Sequence, residues 1–331
     1  MTKYTFLLDI VTVGESVGAF LSMLTSAVML TLLCTYKHAK LGNYKYLMIS
    51  CCFIQMLYSI TSYSSHMRAH STNSSFILFR EYKGSYRQFA PFLLLQFCWV
   101  YATEIAILSL HFLYRYISIW HTSKMHWFSE QRLYLWIGSS FLFGFIVMIL
   151  KYMFFSENVY LSQHLSNDFL KFYGLAMNEI VYIGPVYYKE PYNEKPTDVW
   201  ITIAVVIFGM LICYTSILLL GLMTYLKLRN RKTLLSEKTR DLQHQLFIAL
   251  IVQATIPSVL IFIPAEFLFC SPMIGIGLGP YANVPIVFLT IYPPFDQIGV
   301  MYIIKDFRIS VKMIFKKMSS AQVVPIGHSY I

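Results

Sequence analysis

The sequence predicts an all-α protein, a bundle of seven membrane-crossing helices followed by a short cytoplasmic amphipathic helix. Two observations carry this. Seven apolar stretches divide the 331 residues almost end to end, and a helix needs about 20 apolar residues to cross ~30 Å of hydrocarbon. The alternating pattern of a β-barrel strand is absent, and in lipid only helices and closed barrels satisfy their own backbone groups.

The first two spans, Val17 to Tyr36 and Tyr46 to Ser65, hold no charged residue. Asp9 and Glu15 precede a run that is already span-length, so no cleavable signal is expected and the first helix serves as its own signal. Five further spans are expected at Phe89 to Ser118, Leu133 to Leu150, Val199 to Leu226, Leu246 to Cys270 and Tyr281 to Ile304. From Ile304 to Met318 apolar residues recur at helical spacing opposite Lys305, Arg308, Lys312 and Lys316, the pattern of a helix lying on an anionic leaflet. The seven-span helical domain is thus residues 1–318, with a tail over 319–331.

Composition excludes much. With 57% hydrophobic and 13% charged residues there is no room for a sizeable soluble domain. The net charge of +10 sits in short loops beside apolar spans, where it sets topology rather than binding nucleic acid. With the N-terminus outside, the inner segments hold 17 Lys and Arg residues and the outer segments 9, which favours that orientation with the C-terminus inside. The glycosylation pattern Asn73-Ser74-Ser75 then falls outside.

The segment from Lys151 to Asp198 is the longest connection. It is readable either as a lid over an outward-facing cavity or as a solvated loop. None of the six cysteines lies in it, so no disulfide staples it to the third helix.

Ionisable groups inside spans mark function because each is costly in hydrocarbon. Glu104, Glu266 and Asp296 are the three acidic ones. Glu104 and Arg115 differ by about 20° in azimuth on a helix, so both face inward together, and Glu104 and Asp296 fall at similar depth. They form a candidate midplane polar pair sharing a proton or a small cation, or are separately hydrogen-bonded. Pro257, Pro264, Pro293 and Pro294 predict kinks, either hinges or static packing features. Phe97, Tyr101, Phe262 and Glu266 are read as lining an outer pocket, the other reading of such an aromatic stripe being core packing. No phosphate loop, nucleophile elbow or Cys-x-x-Cys pair is present, and the spacing of His66 and His70 lacks the glutamate of a zinc-protease motif. Neither an enzyme, a metal nor a cofactor is expected.

The stretch His111-Phe112-Leu113-Tyr114-Arg115-Tyr116 resembles the arginine motif that ends the third span in the nematode seven-transmembrane chemoreceptors of the Str class. LQHQLFIALIVQATIPSVLIFIPAEFLFCSP and IYPPFDQIGVMYIIKDFR resemble that family's sixth and seventh spans. The resemblance implies a rhodopsin-like G-protein-coupled receptor for odorants or other small molecules, acting in olfaction through a heterotrimeric G protein in the ciliary plasma membrane of a sensory neuron. It implies that Arg115, with Tyr114 and Tyr116, is the coupling switch and that Asp296 is the polar residue of the seventh-helix motif. Two departures stand out. Gln297 follows Asp296 where the family commonly has proline, and Tyr114 stands where rhodopsin-like receptors carry an acid, so the inner lock is expected to differ. The other reading is a seven-helix ligand-gated cation channel subunit with the opposite orientation.

Overall fold

The computed structural model describes residues 4–35, 42–82, 87–189, 194–230 and 237–321. Among these, seven helices are long and apolar enough to cross a membrane. Lys37, Lys40, Arg231, Lys232 and the tail from 322 lie outside the described residues, as do the side chains of Lys238 and Arg240.

Helix α1, Thr5–Thr35, begins well upstream of the expected Val17. The added turns take in Asp9, which is exposed, and Glu15, which turns inward onto Arg68, 2.7 Å away. Helix α2 runs over Tyr44–Ser65, α3 over Ala90–Trp120 and α4 over Glu130–Phe154. The helix α3 is central, packed against α2, α4 and the later α6, Thr197–Asn230. The sixth span is built from α7, Glu237–Pro257, and α8, Ile263–Cys270, joined by a π-helical turn over Ser258–Phe262. A wide turn after Pro257 is how a helix absorbs the bond that proline cannot donate. Helix α9, Asn283–Ile303, contains Pro293 and Pro294 yet continues through them, and α10, Lys305–Ala321, follows.

The close approach of α1 to α9 has a sequence cause. Pro294 has no N–H for the carbonyl of Thr290 one turn back. That carbonyl faces Gly18, where any Cβ would collide with it.

The long outer segment is neither all helix nor unstructured, and here the structure adds an element absent from an all-α expectation. Strands β1, Arg68–Ser71, β2, Phe76–Glu81, and β3, Ile180–Ile183, form an antiparallel sheet in the order β1-β2-β3. Ala69 pairs with Leu78, and Leu78 with Ile183. The free edge of β1 is covered: Asn283 accepts from the Ala69 N–H at 2.9 Å and donates to its carbonyl at 2.8 Å, while the Gly279 N–H donates to Ser71 at 2.7 Å. Between α4 and β3 lies α5, Val159–Phe172, whose first turn is capped by Asn158 accepting from the Leu161 N–H at 2.8 Å. Its buried face, Leu161, Leu165 and Phe169 at successive i+4 steps, packs on Ile77, Phe79, Ile180 and Tyr182. Asp168, one turn from Leu165, faces His70 of β1 at 3.6 Å, and that ring holds its carboxyl below the usual carboxylate range against partial burial.

Helix α2 ends at Ser65, with His66 left-handed at φ 43°, and His70 sits in β1. The two histidines are therefore not one helical turn apart. Asn73 is exposed in the β1–β2 hairpin turn, where its side-chain oxygen accepts from the Gly277 N–H at 3.0 Å.

Candidate functional site

The sheet roofs an apolar cavity in the outer half of the bundle. The cavity is lined by Met67, Phe76 and Leu78 above, Phe97, Cys98 and Tyr101 of α3, Lys151 of α4, Met210 of α6, Glu266 and Phe269 of α8, and Leu289 of α9. Three of the four expected pocket residues, Phe97, Tyr101 and Glu266, line it. Phe262 lies beside it instead, its ring centroid 5.7 Å from that of Tyr101 and 5.5 Å from that of Tyr214. The roof is tied to the helices below: Trp200 donates to the Tyr187 carbonyl at 2.9 Å and Tyr188 to the Met273 carbonyl at 2.6 Å.

Lys151 was hidden in the sequence as an outer-loop cation, whereas α4 extends past it to Phe154 and points it inward. Its ammonium donates to the Cys98 sulfur at 3.6 Å. Among the described residues no ion pair within 4 Å joins Lys151 to Glu266, and the Tyr101 hydroxyl is buried without a partner. An apolar chamber thus presents an ammonium, a carboxyl and a phenol from three helices, the composition of a small-molecule site.

Deeper, the two midplane carboxyls are buried, Glu104 at 6% and Asp296 at 1% exposure. No hydrogen bond joins them among the described residues. Tyr292, one turn before Asp296 on α9, donates to Glu104, and Tyr58 packs edge-on to Tyr292 at 5.0 Å. Asp296 accepts from Gln55 of α2 and from Gln253 of α7 at 3.4 Å. Gln297 donates to Gln55 at 2.9 Å and to Ser26 of α1 at 2.6 Å. One network of amides and hydroxyls therefore spans α1, α2, α7 and α9, a reason for Gln297 to stand where proline could not donate. One oxygen each of Glu104, Asp296 and Gln297 stays unpaired among the described residues.

At the inner end Arg115 is 2% exposed. Its guanidinium donates to Gln243 of α7 at 2.9 Å and lies 3.7 Å over the ring of Tyr44 from α2. Tyr114 packs on Tyr44 at 5.4 Å and on Phe128 at 5.1 Å, so the position of the missing acid is filled by core packing. Tyr116 stacks toward Trp120 at 6.1 Å, and Lys227 lies 3.8 Å over Trp120. Arg115 is thus held by a neutral amide and an aromatic face. A planar guanidinium suits that pairing because it stacks and donates at once.

Seven crossing helices, an outer chamber and a buried arginine facing the sixth span define the G-protein-coupled receptor fold. Squid rhodopsin superposes with a TM-score of 0.66 over 100% of this chain and 93% of its own, at 10% identity, a likeness of fold alone. The chain belongs to the serpentine type 7TM GPCR chemoreceptor Str family, whose pattern matches residues 12–312. Similar Caenorhabditis elegans proteins include the G-protein coupled receptor str-33, 24% identical over 86% of each chain, and serpentine receptor class r-10, 27% identical over 91% of this chain and 89% of its own.

Proposed function

We propose that this chemoreceptor binds a small external molecule in the roofed cavity and thereby changes the inner face offered to a heterotrimeric G protein. The observation that carries the reading is that one helix, α3, presents Tyr101 to the cavity, Glu104 to the midplane and Arg115 to the inner lock. A ligand shifts such an equilibrium only by its difference in affinity between the two states. The reading places the receptor in the plasma membrane of a sensory cilium, with the N-terminus outside and the C-terminus inside; the excess of basic residues in the inner segments supports that orientation. An N-terminal tag should stain on intact cells and a C-terminal tag only after permeabilisation. The reverse pattern would replace this reading with the inverted cation-channel one.

Screening the expressed receptor against volatile and water-soluble compounds with a G-protein readout tests the chemistry. For any agonist so found, Lys151→Gln and Glu266→Gln are expected to raise the half-maximal concentration about tenfold, the worth of a hydrogen bond to a charged group. Unchanged potency in both variants at equal surface expression would move the ligand site elsewhere.

The midplane pair acts, in this reading, through Tyr292 as a proton- or cation-linked relay. Glu104→Gln and Asp296→Asn should each shift the response, and the double variant should depart from additivity by at least ~0.5 kcal/mol. Additive effects would make them two independent polar residues.

A further inference from the structure

A cleft at the inner end of α4 belongs to neither the ligand chamber nor the arginine lock. It holds about 700 Å³ of empty volume, open surroundings included, and is lined by Trp127, Arg132, Leu135, Trp136 and Ser139. The last four recur at i, i+3, i+4 and i+7, one stripe of the helix, and all four are exposed. From Arg132 to Ser139 the stripe climbs about 10 Å along the axis, the distance from headgroup level into the acyl region.

The apolar wall is built rather than incidental. Trp136 stacks on the fully buried Phe128 at 5.9 Å and 18°, and its indole N–H donates to the Trp127 carbonyl at 3.2 Å. The Trp136 indole is thereby held, while Trp136 and Trp127 remain 36% and 43% exposed. At the mouth stand two cations. Among the described residues Arg132 donates to the His126 carbonyl at 3.5 Å, and the Lys124 ammonium lies 5.5 Å over the Trp127 ring. Among the described residues neither has a carboxylate within 4 Å. Helix α4 starts without a side-chain cap at Ser129 and carries Glu130 in its first turn, so the anion-binding character of this end comes from Arg132 and Lys124.

We infer that this cleft holds one anionic glycerophospholipid of the cytoplasmic leaflet, its phosphate against Arg132 and Lys124 and an acyl chain along Trp127, Leu135 and Trp136. Charge complementarity selects the occupant: uncompensated cations above an aromatic trough match an anionic head with a chain, and that leaflet carries the anionic lipid. The inference rests on the N-terminus-out topology, which the tag experiment reads separately.

The receptor reconstituted in nanodiscs of phosphatidylcholine with photoactivatable phosphatidylserine provides the test, illuminated and mapped by peptide mass spectrometry. Cross-links should concentrate on residues 124–139. Lys124→Gln with Arg132→Gln should lower that yield at least about fivefold, leaving cross-links on α10 unchanged. Trp136→Ala should lower it with both charges intact. Glycerophosphoserine, the head group without chains, should not compete. Equal labelling by photoactivatable phosphatidylcholine, an unchanged yield in the charge variant, or competition by the free head group would each overturn the inference.

Discussion

Arg115→Ala is expected to leave surface expression and agonist binding near the parent level and to lower maximal G-protein activation at least about tenfold, within the range of ordinary allosteric coupling energies. The residue sits at the inner end of an apolar helix, with its guanidinium on Tyr44 and one hydrogen bond to Gln243. That bond bridges α3 and the sixth span, and in the proposed reading Gln243 uses it to hold Arg115 in the resting arrangement. Gln243→Ala should therefore raise signalling without agonist, since a charge-assisted hydrogen bond contributes ~1.5 to 3 kcal/mol. The two variants move the output in opposite directions, which separates a lock from a merely structural contact. Normal signalling by Arg115→Ala at equal expression would remove the arginine from the coupling machinery.

How much of this was legible in the sequence follows from what each feature is made of. The spans were readable because their signal is a sum over about 20 residues and tolerates local exceptions. Arg115 was readable as a cation at the end of an apolar run, and its inward azimuth agreed with that of Glu104. Its partner was not: Gln243 is a neutral amide in the polar first half of α7, with nothing to distinguish it from Gln245 two residues on. The same holds for Gln55 and Gln253, which occupy Asp296 so that the carboxyls need not meet directly. The sheet was invisible for a different reason. Strands β1 and β3 are four residues each, too short for an alternating pattern to declare itself, and β2 joins β3 across about 100 residues of sequence. Lys151 was misread because a cation after an apolar run signals a helix end, and here the helix runs one turn further.

Arg68→Met is expected to give the largest loss of stability, about 3 to 5 kcal/mol, the cost of stripping one partner from a buried ion pair. Glu15 is 1% and Arg68 10% exposed at the side chain, and they meet at 2.7 Å where α1 passes under β1. The guanidinium also donates to Thr12 at 2.7 Å and to the Met67 carbonyl at 2.9 Å, so it joins the first helix to the start of the roof. Without it the hydrogen-bond partner left to the Glu15 carboxylate among the described residues is the ring of His66, 3.3 Å away and half exposed. Surface expression should fall severalfold, and the purified protein should melt earlier by intrinsic fluorescence. Pairing the change with Glu15→Leu removes the stranded charge and should recover most of the loss, because an apolar pair of similar volume does not bear the desolvation cost of the ions. A single Arg68→Met variant that melts with the parent would mean that Glu15 finds water in this position. A double variant as unstable as the single one would mean that the arginine acts through Thr12 and Met67, holding the roof by its hydrogen bonds rather than by its charge.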